Sequence, residues 1–171
     1  AARILSVSDE VTARLNALGA DPIRIVTIGN GIDTAVFSPD VVSADAHEQY
    51  FVYTGTMSEW QQPDVFIRAL ALIAAEFPRL RMRFFGQGAV ENALRDLAER
   101  LVPGRVSFGG VIPPDESASW IRGAVAALVS IAPGIGYDFA RPTKTYAAAA
   151  VGTPVLFAGA DVGGTLVRDA E

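Results

Sequence analysis

The chain has 171 residues, half of them apolar, and 14 Lys+Arg against 19 Asp+Glu give a formal net charge of −5. That length accommodates one domain, or one domain plus part of another, and the apolar content and low charge density exclude intrinsic disorder. The acidic balance argues against general nucleic-acid binding, which runs on Lys and Arg; with no cysteine and a single histidine, His47, disulfides, thiolate catalysis and a soft transition-metal site are excluded.

His47 sits in a polar stretch, and no nucleophile elbow accompanies it, so a Ser-His-Asp triad has no support. The longest apolar runs, Ala124–Val129 and Ala147–Val151, are far short of the ~20 residues that span a bilayer. No charged and then apolar leader opens the chain, and Ala1 in place of Met is read as the mark of a fragment. Thirteen of the basic residues are arginines, which leaves Lys144 as the one lysine.

In chain order, strands are expected over Arg3–Val7, Ile23–Ile28, Tyr50–Thr54, Arg81–Phe85, Val106–Phe108, Val125–Ile131 and Pro154–Ala158. They are short, bounded by Gly or Pro and mostly apolar throughout, as strands covered on both faces should be. Helical spacing falls between them. It is carried by Val11, Leu15 and Leu18; by Phe66, Leu70, Ile73 and Phe77, opened by Pro63 and Asp64 and stopped at Pro78; and by Val90, Leu94, Leu97 and Leu101. Asp115–Arg122 and Thr143–Val151 complete the set, and another helix is expected to open at Gly163, Gly164 and Thr165.

Strand and helix in repeated alternation predict an α/β fold, a Rossmann-like doubly wound parallel sheet. Residues 1–37 hold one βαβ unit, Ser38–Gln49 is polar, contains Pro39 and reads as a linker, and residues 50–171 hold five candidate strands.

Ligands of open parallel sheets bind beyond the carboxyl ends of the strands. Four loops meet that description: Gly55–Gln62, Gly86–Gly88, Gly109–Pro113 and Pro133–Lys144. The Gly86-x-Gly88 pair has Glu91 where a dinucleotide fingerprint needs its third glycine, and it reads first as a tight turn. In the last loop, Gly134 and Gly136 allow close backbone approach, Pro142 suits a first helical residue, and Thr143 and Lys144 then fall in the first turn. A cation there opposes the helix dipole unless an anion offsets it. Two readings of Lys144 stay open: a bound phosphate, or a structural pair with Asp138. Arg141 is either a second phosphate cation or a solvated surface residue. Trp60, Tyr137 and Phe139 lie in these loops and either stack on a base or sugar or cover the sheet end, whereas Trp120 lies on a helix as a core residue.

The order of motifs resembles a known family. Asn30-Gly31-Ile32-Asp33 with Phe37, Tyr53-Thr54-Gly55, Phe85-Gly86-Gln87-Gly88, Val106-x-Phe108-x-Gly110-x-Ile112, Pro142-Thr143-Lys144 and Gly152-Thr153-Pro154-Val155 are similar to the C-terminal part of retaining glycosyltransferases of family 4, the group 1 type with GT-B architecture. The resemblance implies that residues 1–37 end an acceptor-binding domain and that residues 50–171 bind a nucleotide-sugar donor. Carried over by position, Gly110, Val111 and Ile112 line the nucleobase. Gly134, Gly136, Tyr137, Asp138, Arg141, Thr143 and Lys144 face diphosphate and sugar, and Gly55, Thr56, Gln61, Gly86 and Gly88 reach the phosphates from the other side.

The same resemblance implies a transferase that needs no metal and no cofactor beyond its substrate, with its catalytic histidine outside this chain. It implies a cytoplasmic protein, with peripheral contact to the inner face of the membrane through the full-length chain as a further expectation. Four family charges are changed. Thr56 and Gln61 stand where an Arg and a Lys neutralise the diphosphate, and Phe139 and Ala147 stand where paired glutamates contact sugar and ribose. These losses are the ground for a second reading, a non-catalytic binding or assembly module on the same fold. A redox dinucleotide domain lacks its fingerprint here.

Overall fold

A computed structural model describes residues 3–160 and Gly164. The helix expected to open at Gly163 lies, Gly164 apart, outside the described residues.

Residues Ile4–Ser6 (β1), Asp9–Ala17 (α1) and Ile25–Thr27 (β2) form a βαβ unit whose two strands pair in parallel. Ser8 caps α1 by accepting from the Val11 N–H, and Asp9 and Glu10 favour its positive end. The strand expected from Ile23 starts only at Ile25, because Pro22, with Asp21 accepting from the Ile23 N–H, turns residues Pro22–Arg24 into a 3-10 turn. Residues 38–49 contain neither helix nor strand.

The main sheet is built from Tyr50–Thr54 (β3), Arg81–Phe85 (β4), Val106–Phe108 (β5), Ala126–Ser130 (β6) and Val155–Ala158 (β7). It runs in the order β5-β4-β3-β6-β7 with every pair parallel. The connecting helices are Asp64–Ile73 (α2), Glu91–Leu101 (α3), Pro114–Gly123 (α4) and Thr143–Ala150 (α5). Helix α2 ends before Phe77, since Pro78 disfavours helical backbone in its predecessor, and Phe77 is left 46% exposed.

Strand β3 alternates between two cores. Phe51 and Tyr53 join Phe66, Ile67, Leu70, Met82, Phe84, Leu94 and Leu97 under α2 and α3. Tyr50 and Val52 join Phe85, Ala118, Ile121, Ala127, Ala147, Ala148 and Val151 under α4 and α5. The alanines of α5 let that helix close on the sheet. Trp120 packs in the second core, edge-on to Tyr50 at 5.7 Å and tilted on Phe85 at 5.1 Å. No helix among the described residues is long and apolar enough to cross a membrane.

The chain winds one way from β3 through β4 to β5, then crosses to β6 and β7 on the other side, so the order reverses between β3 and β6. That switch point is where an open parallel sheet offers a crevice.

The βαβ unit is thinly supported. Helix α1 buries no side chain, and a two-stranded sheet is marginal alone. Ile32, Val36 and Phe37, by contrast, pack on the second core. In hydrogen exchange the amides of β1 and β2 are therefore expected to exchange well before those of β3 and β6; equal protection would contradict this partition.

Candidate functional site

A cleft of about 620 Å³ opens at the switch point. Gly55, Thr56, Trp60 and Gln61 form one wall; Phe85, Gly86, Val111, Ile112, Pro114 and Ser117 form the other; Thr143, Lys144 and Ala147 of α5 close its end, and Ile32 and Phe37 edge it from the upstream segment. Of the residues the sequence singled out, Gly55, Thr56, Gln61, Gly86, Val111, Ile112, Thr143 and Lys144 are brought together here.

The others lie outside the cleft. Gly88 backs onto the Met57 carbonyl, and the Gly110 carbonyl accepts from the Gly86 N–H at 2.6 Å. Asp138 accepts from the Gly134 N–H at 2.8 Å and closes the 133–142 loop on itself. Gly134 and Gly136 sit in that loop at positive φ, +76° and +88°. Tyr137 lies tilted against Trp60 at 5.2 Å and stacks on Phe139 at 6.5 Å.

The cleft walls are backbone laid on backbone. The Gly55 N–H donates to the Phe85 carbonyl at 2.8 Å and the Met57 N–H to the Gln87 carbonyl at 3.0 Å. A Cβ at Gly86 would overlap the Gly55 carbonyl, so the Gly86-x-Gly88 pair is first of all the close packing of two loops. At Gly55, with φ +125°, a Cβ would stand 2.7 Å from Lys144 Cε. The missing side chain makes the groove in which the lysine lies.

Lys144 does not pair with Asp138. It runs over the Tyr53 ring, with Nζ 5.1 Å from the centroid, to the amide of Gln61. The amide orientation that satisfies both ends of Gln61 puts its oxygen 2.8 Å from Nζ and its nitrogen on the Tyr53 hydroxyl at 2.9 Å. No carboxylate stands within ion-pair distance of Lys144 among the described residues. Desolvation lowers its pKa to about 8, and burial pushes the Tyr53 phenol up. Lys144 also occupies the first turn of α5, where no side chain caps the helix; the Thr145 N–H donates to the Pro142 carbonyl at 3.2 Å, and the two N–H groups before it have no intrahelical acceptor.

A smaller recess of about 230 Å³ adjoins the cleft and shares Trp60, Gln61, Thr143 and Lys144 with it. Ser130, at the carboxyl end of β6, lines this recess; it is 3% exposed and its hydroxyl has no hydrogen-bond partner. The sequence reading missed Ser130 because it ends a strand that reads as uniformly apolar. Ile32 and Phe37 were legible as parts of a motif but not as cleft residues. The lysine, the open helix end and the orphan hydroxyl together make this end of the cleft rich in donors and suited to an anion.

Arg141 lies in the same recess, and one of its nitrogens is paired from α1. Its Nη2 donates to Glu10 Oε1 on α1 at 2.7 Å, and its carbonyl accepts from Asn30 Nδ2 at 3.3 Å. It is not a solvated surface arginine, and its Glu10 pair is a carboxylate partner that Lys144 lacks. The Arg141 hydrogen bond is the first cause that lowers the Glu10 pKa to about 2. The sign follows: a depressed carboxyl pKa contributes stability above the ordinary value of 4.5 that is lost as pH falls toward 2. Glu10→Gln is therefore expected to lose less stability than the parent between pH 5 and pH 2, measured by denaturant unfolding at each pH; identical acid sensitivity would contradict the pair.

Fold and cleft define a doubly wound α/β domain with a crevice at its switch point, and comparison with known proteins makes the class specific. Residues 48–171 match the family described as glycosyl transferases group 1, and the chain belongs to that family. It is 31% identical to the D-inositol 3-phosphate glycosyltransferase of Nocardioides sp., over 99% of this chain and 41% of that protein. It is also 31% identical to the enzyme of the same name from Acidothermus cellulolyticus, over 95% of this chain and 39% of that protein. The chain thus spans about two fifths of these relatives.

Among solved structures, Anabaena HepE in complex with UDP-glucose superposes with a TM-score of 0.75 at 18% identity, covering 96% of this chain and 46% of that one. WaaG, a glycosyltransferase involved in lipopolysaccharide biosynthesis, gives 0.81 at 17%, covering 98% and 47%. At those identities the likeness is one of fold, the GT-B fold of these enzymes.

Proposed function

We propose that the cleft receives the nucleoside-diphosphate end of an activated sugar, within a longer glycosyltransferase that transfers the sugar with retention of configuration. The acceptor and the catalytic histidine belong, in this reading, to the part of the enzyme upstream of the linker. The nucleoside lies along Val111, Ile112 and Phe85, and the phosphates reach the α5 end. Lys144 carries the proposal: its ammonium is partly desolvated at the end of the cleft, beside an uncapped helix start, with an amide oxygen as its partner and no carboxylate. A charge held at that cost is offset by an anion.

Thr56 and Gln61, neutral where the family carries cations, are consistent with this. Lys144 comes from α5 to the amide of Gln61 and brings a positive charge to the same place from the end of the cleft. UDP is the first nucleotide to test, given the ligand of HepE. Calorimetric titration of the chain with UDP, GDP, ADP and the free nucleosides is expected to show binding by at least one diphosphate and much weaker binding by its nucleoside. Absence of binding by all three diphosphates favours the second reading, a module in which Gln61 has taken the place of the ligand on Lys144.

A further inference from the structure

We infer that helix α1, upstream of the linker, clamps the 133–142 loop and thereby sets the anion end of the cleft, with Glu10 and Arg14 as positioning residues. The inference rests on the nucleotide reading for its effect on affinity, and on geometry alone for the clamp itself.

Two routes run from α1 to the cleft. In the first, Glu10 holds the guanidinium of Arg141 at 2.7 Å and Asn30 holds its carbonyl at 3.3 Å. Both ends of the residue two positions before the first turn of α5 are thus fixed from the upstream segment. Pro142 follows with a restricted backbone, and then come Thr143 and Lys144, so the start of α5 has little freedom to move while Arg141 stays in place.

In the second route, the Arg14 guanidinium lies 4.4 Å over the Phe139 ring; Phe139 stacks on Tyr137 and Tyr137 on Trp60, which walls both the cleft and the recess. A cation–π contact and two ring contacts therefore join α1 to the far wall.

The clamp is not fully satisfied. Glu10 Oε2 and Arg141 Nε have no hydrogen-bond partner, so a single 2.7 Å contact carries the pair. Such a contact suits a latch between two segments better than a permanent brace. Helix α1 itself buries no side chain, so little else ties it to the loop. Displacement of the upstream segment would release the loop, and the nucleotide end would feel what happens on the acceptor side of the linker.

Glu10→Gln, Arg14→Gln and the charge-reversed double variant Glu10→Arg/Arg141→Glu test this, with Glu91→Gln as control, which removes the 2.8 Å Arg95 pair within α3. Two readouts are taken on the full chain: hydrogen exchange of residues 133–144 without ligand, and the calorimetric affinity for UDP. Glu10→Gln and Arg14→Gln are expected to speed exchange in the loop and to weaken UDP about threefold to tenfold, the size of coupling within one contact network. The reversed pair restores both, and the control changes neither. UDP affinity unchanged by Glu10→Gln in a parent that binds UDP would overturn the coupling. If the parent binds no UDP, the nucleotide reading is what fails, and the clamp is then decided by exchange: loop protection equal in parent and Glu10→Gln overturns it. Loss of affinity that the reversed pair does not restore also counts against it, since a packing defect has no charge to exchange.

Discussion

Gly86→Ala is expected to cost about 3 kcal/mol of stability or more, the largest effect of any single methyl group in the site. Gly86 has φ +124°, a conformation that alanine adopts only at about 1–3 kcal/mol. The added Cβ also overlaps the Gly55 carbonyl oxygen, which cannot retreat, because the neighbouring Gly55 N–H is bonded to Phe85 at 2.8 Å. Backbone meets backbone here, so no side chain can rotate away. For a chain of this size, the loss corresponds to a fall in Tm of roughly 6–12 °C. Gly134→Ala is the comparison: its φ is +76° but nothing lies within 4 Å of the new methyl, so only the backbone strain applies. Similar Tm values for the two variants would mean that the walls of the cleft are looser than they stand in the fold.

Lys144→Ala carries the second large effect. If the nucleotide phosphates rest on the ammonium, its removal weakens the diphosphate by about 1.5–3 kcal/mol, the range for hydrogen bonds to charged groups, or roughly tenfold to a hundredfold in affinity. Thr56→Ala, which removes an uncharged side chain from the wall that carries Gln61, changes affinity much less. Lys144 has no carboxylate to lose, and relief of its desolvation offsets the loss of its contacts with Gln61 and Tyr53, so the variant is expected to melt close to the parent. A variant that unfolds early and binds nucleotide normally would make Lys144 a structural residue.

Much of this was legible in the sequence because local pattern decides it. The strands Tyr50–Thr54, Arg81–Phe85 and Val106–Phe108 fall where apolar runs bounded by Gly place them, and α5 begins at Thr143, where Pro142 allows it. The misses near the ends of elements have local causes too: Pro22 delays β2, and Pro78 strands Phe77 outside α2.

Partnerships were not legible, because they depend on which loops the topology brings together. Lys144 stood out as the one lysine, but the acid nearest it in sequence, Asp138, turns back on Gly134, while Gln61 comes from a distant loop. Glu10 reads only as an acid at a helix start, yet it meets Arg141 across 131 positions of sequence. Ser130 is one hydroxyl at the end of an apolar strand, and only burial without a partner marks it.

The most direct test is the pH dependence of nucleoside-diphosphate affinity in the parent and in Lys144→Ala, by calorimetry at pH 7 and pH 9. In the free protein Lys144 has a pKa of about 8. A bound diphosphate stabilises the ammonium and raises that value, so binding above pH 8 takes up a proton and affinity falls as pH rises. The parent is expected to bind about tenfold more weakly at pH 9 than at pH 7, with proton uptake visible as a buffer-dependent heat, and Lys144→Ala is expected to bind weakly and equally at both. Equal affinity at the two pH values in the parent, or the same pH dependence in both proteins, would contradict the assignment of Lys144 as the cation of the nucleotide site.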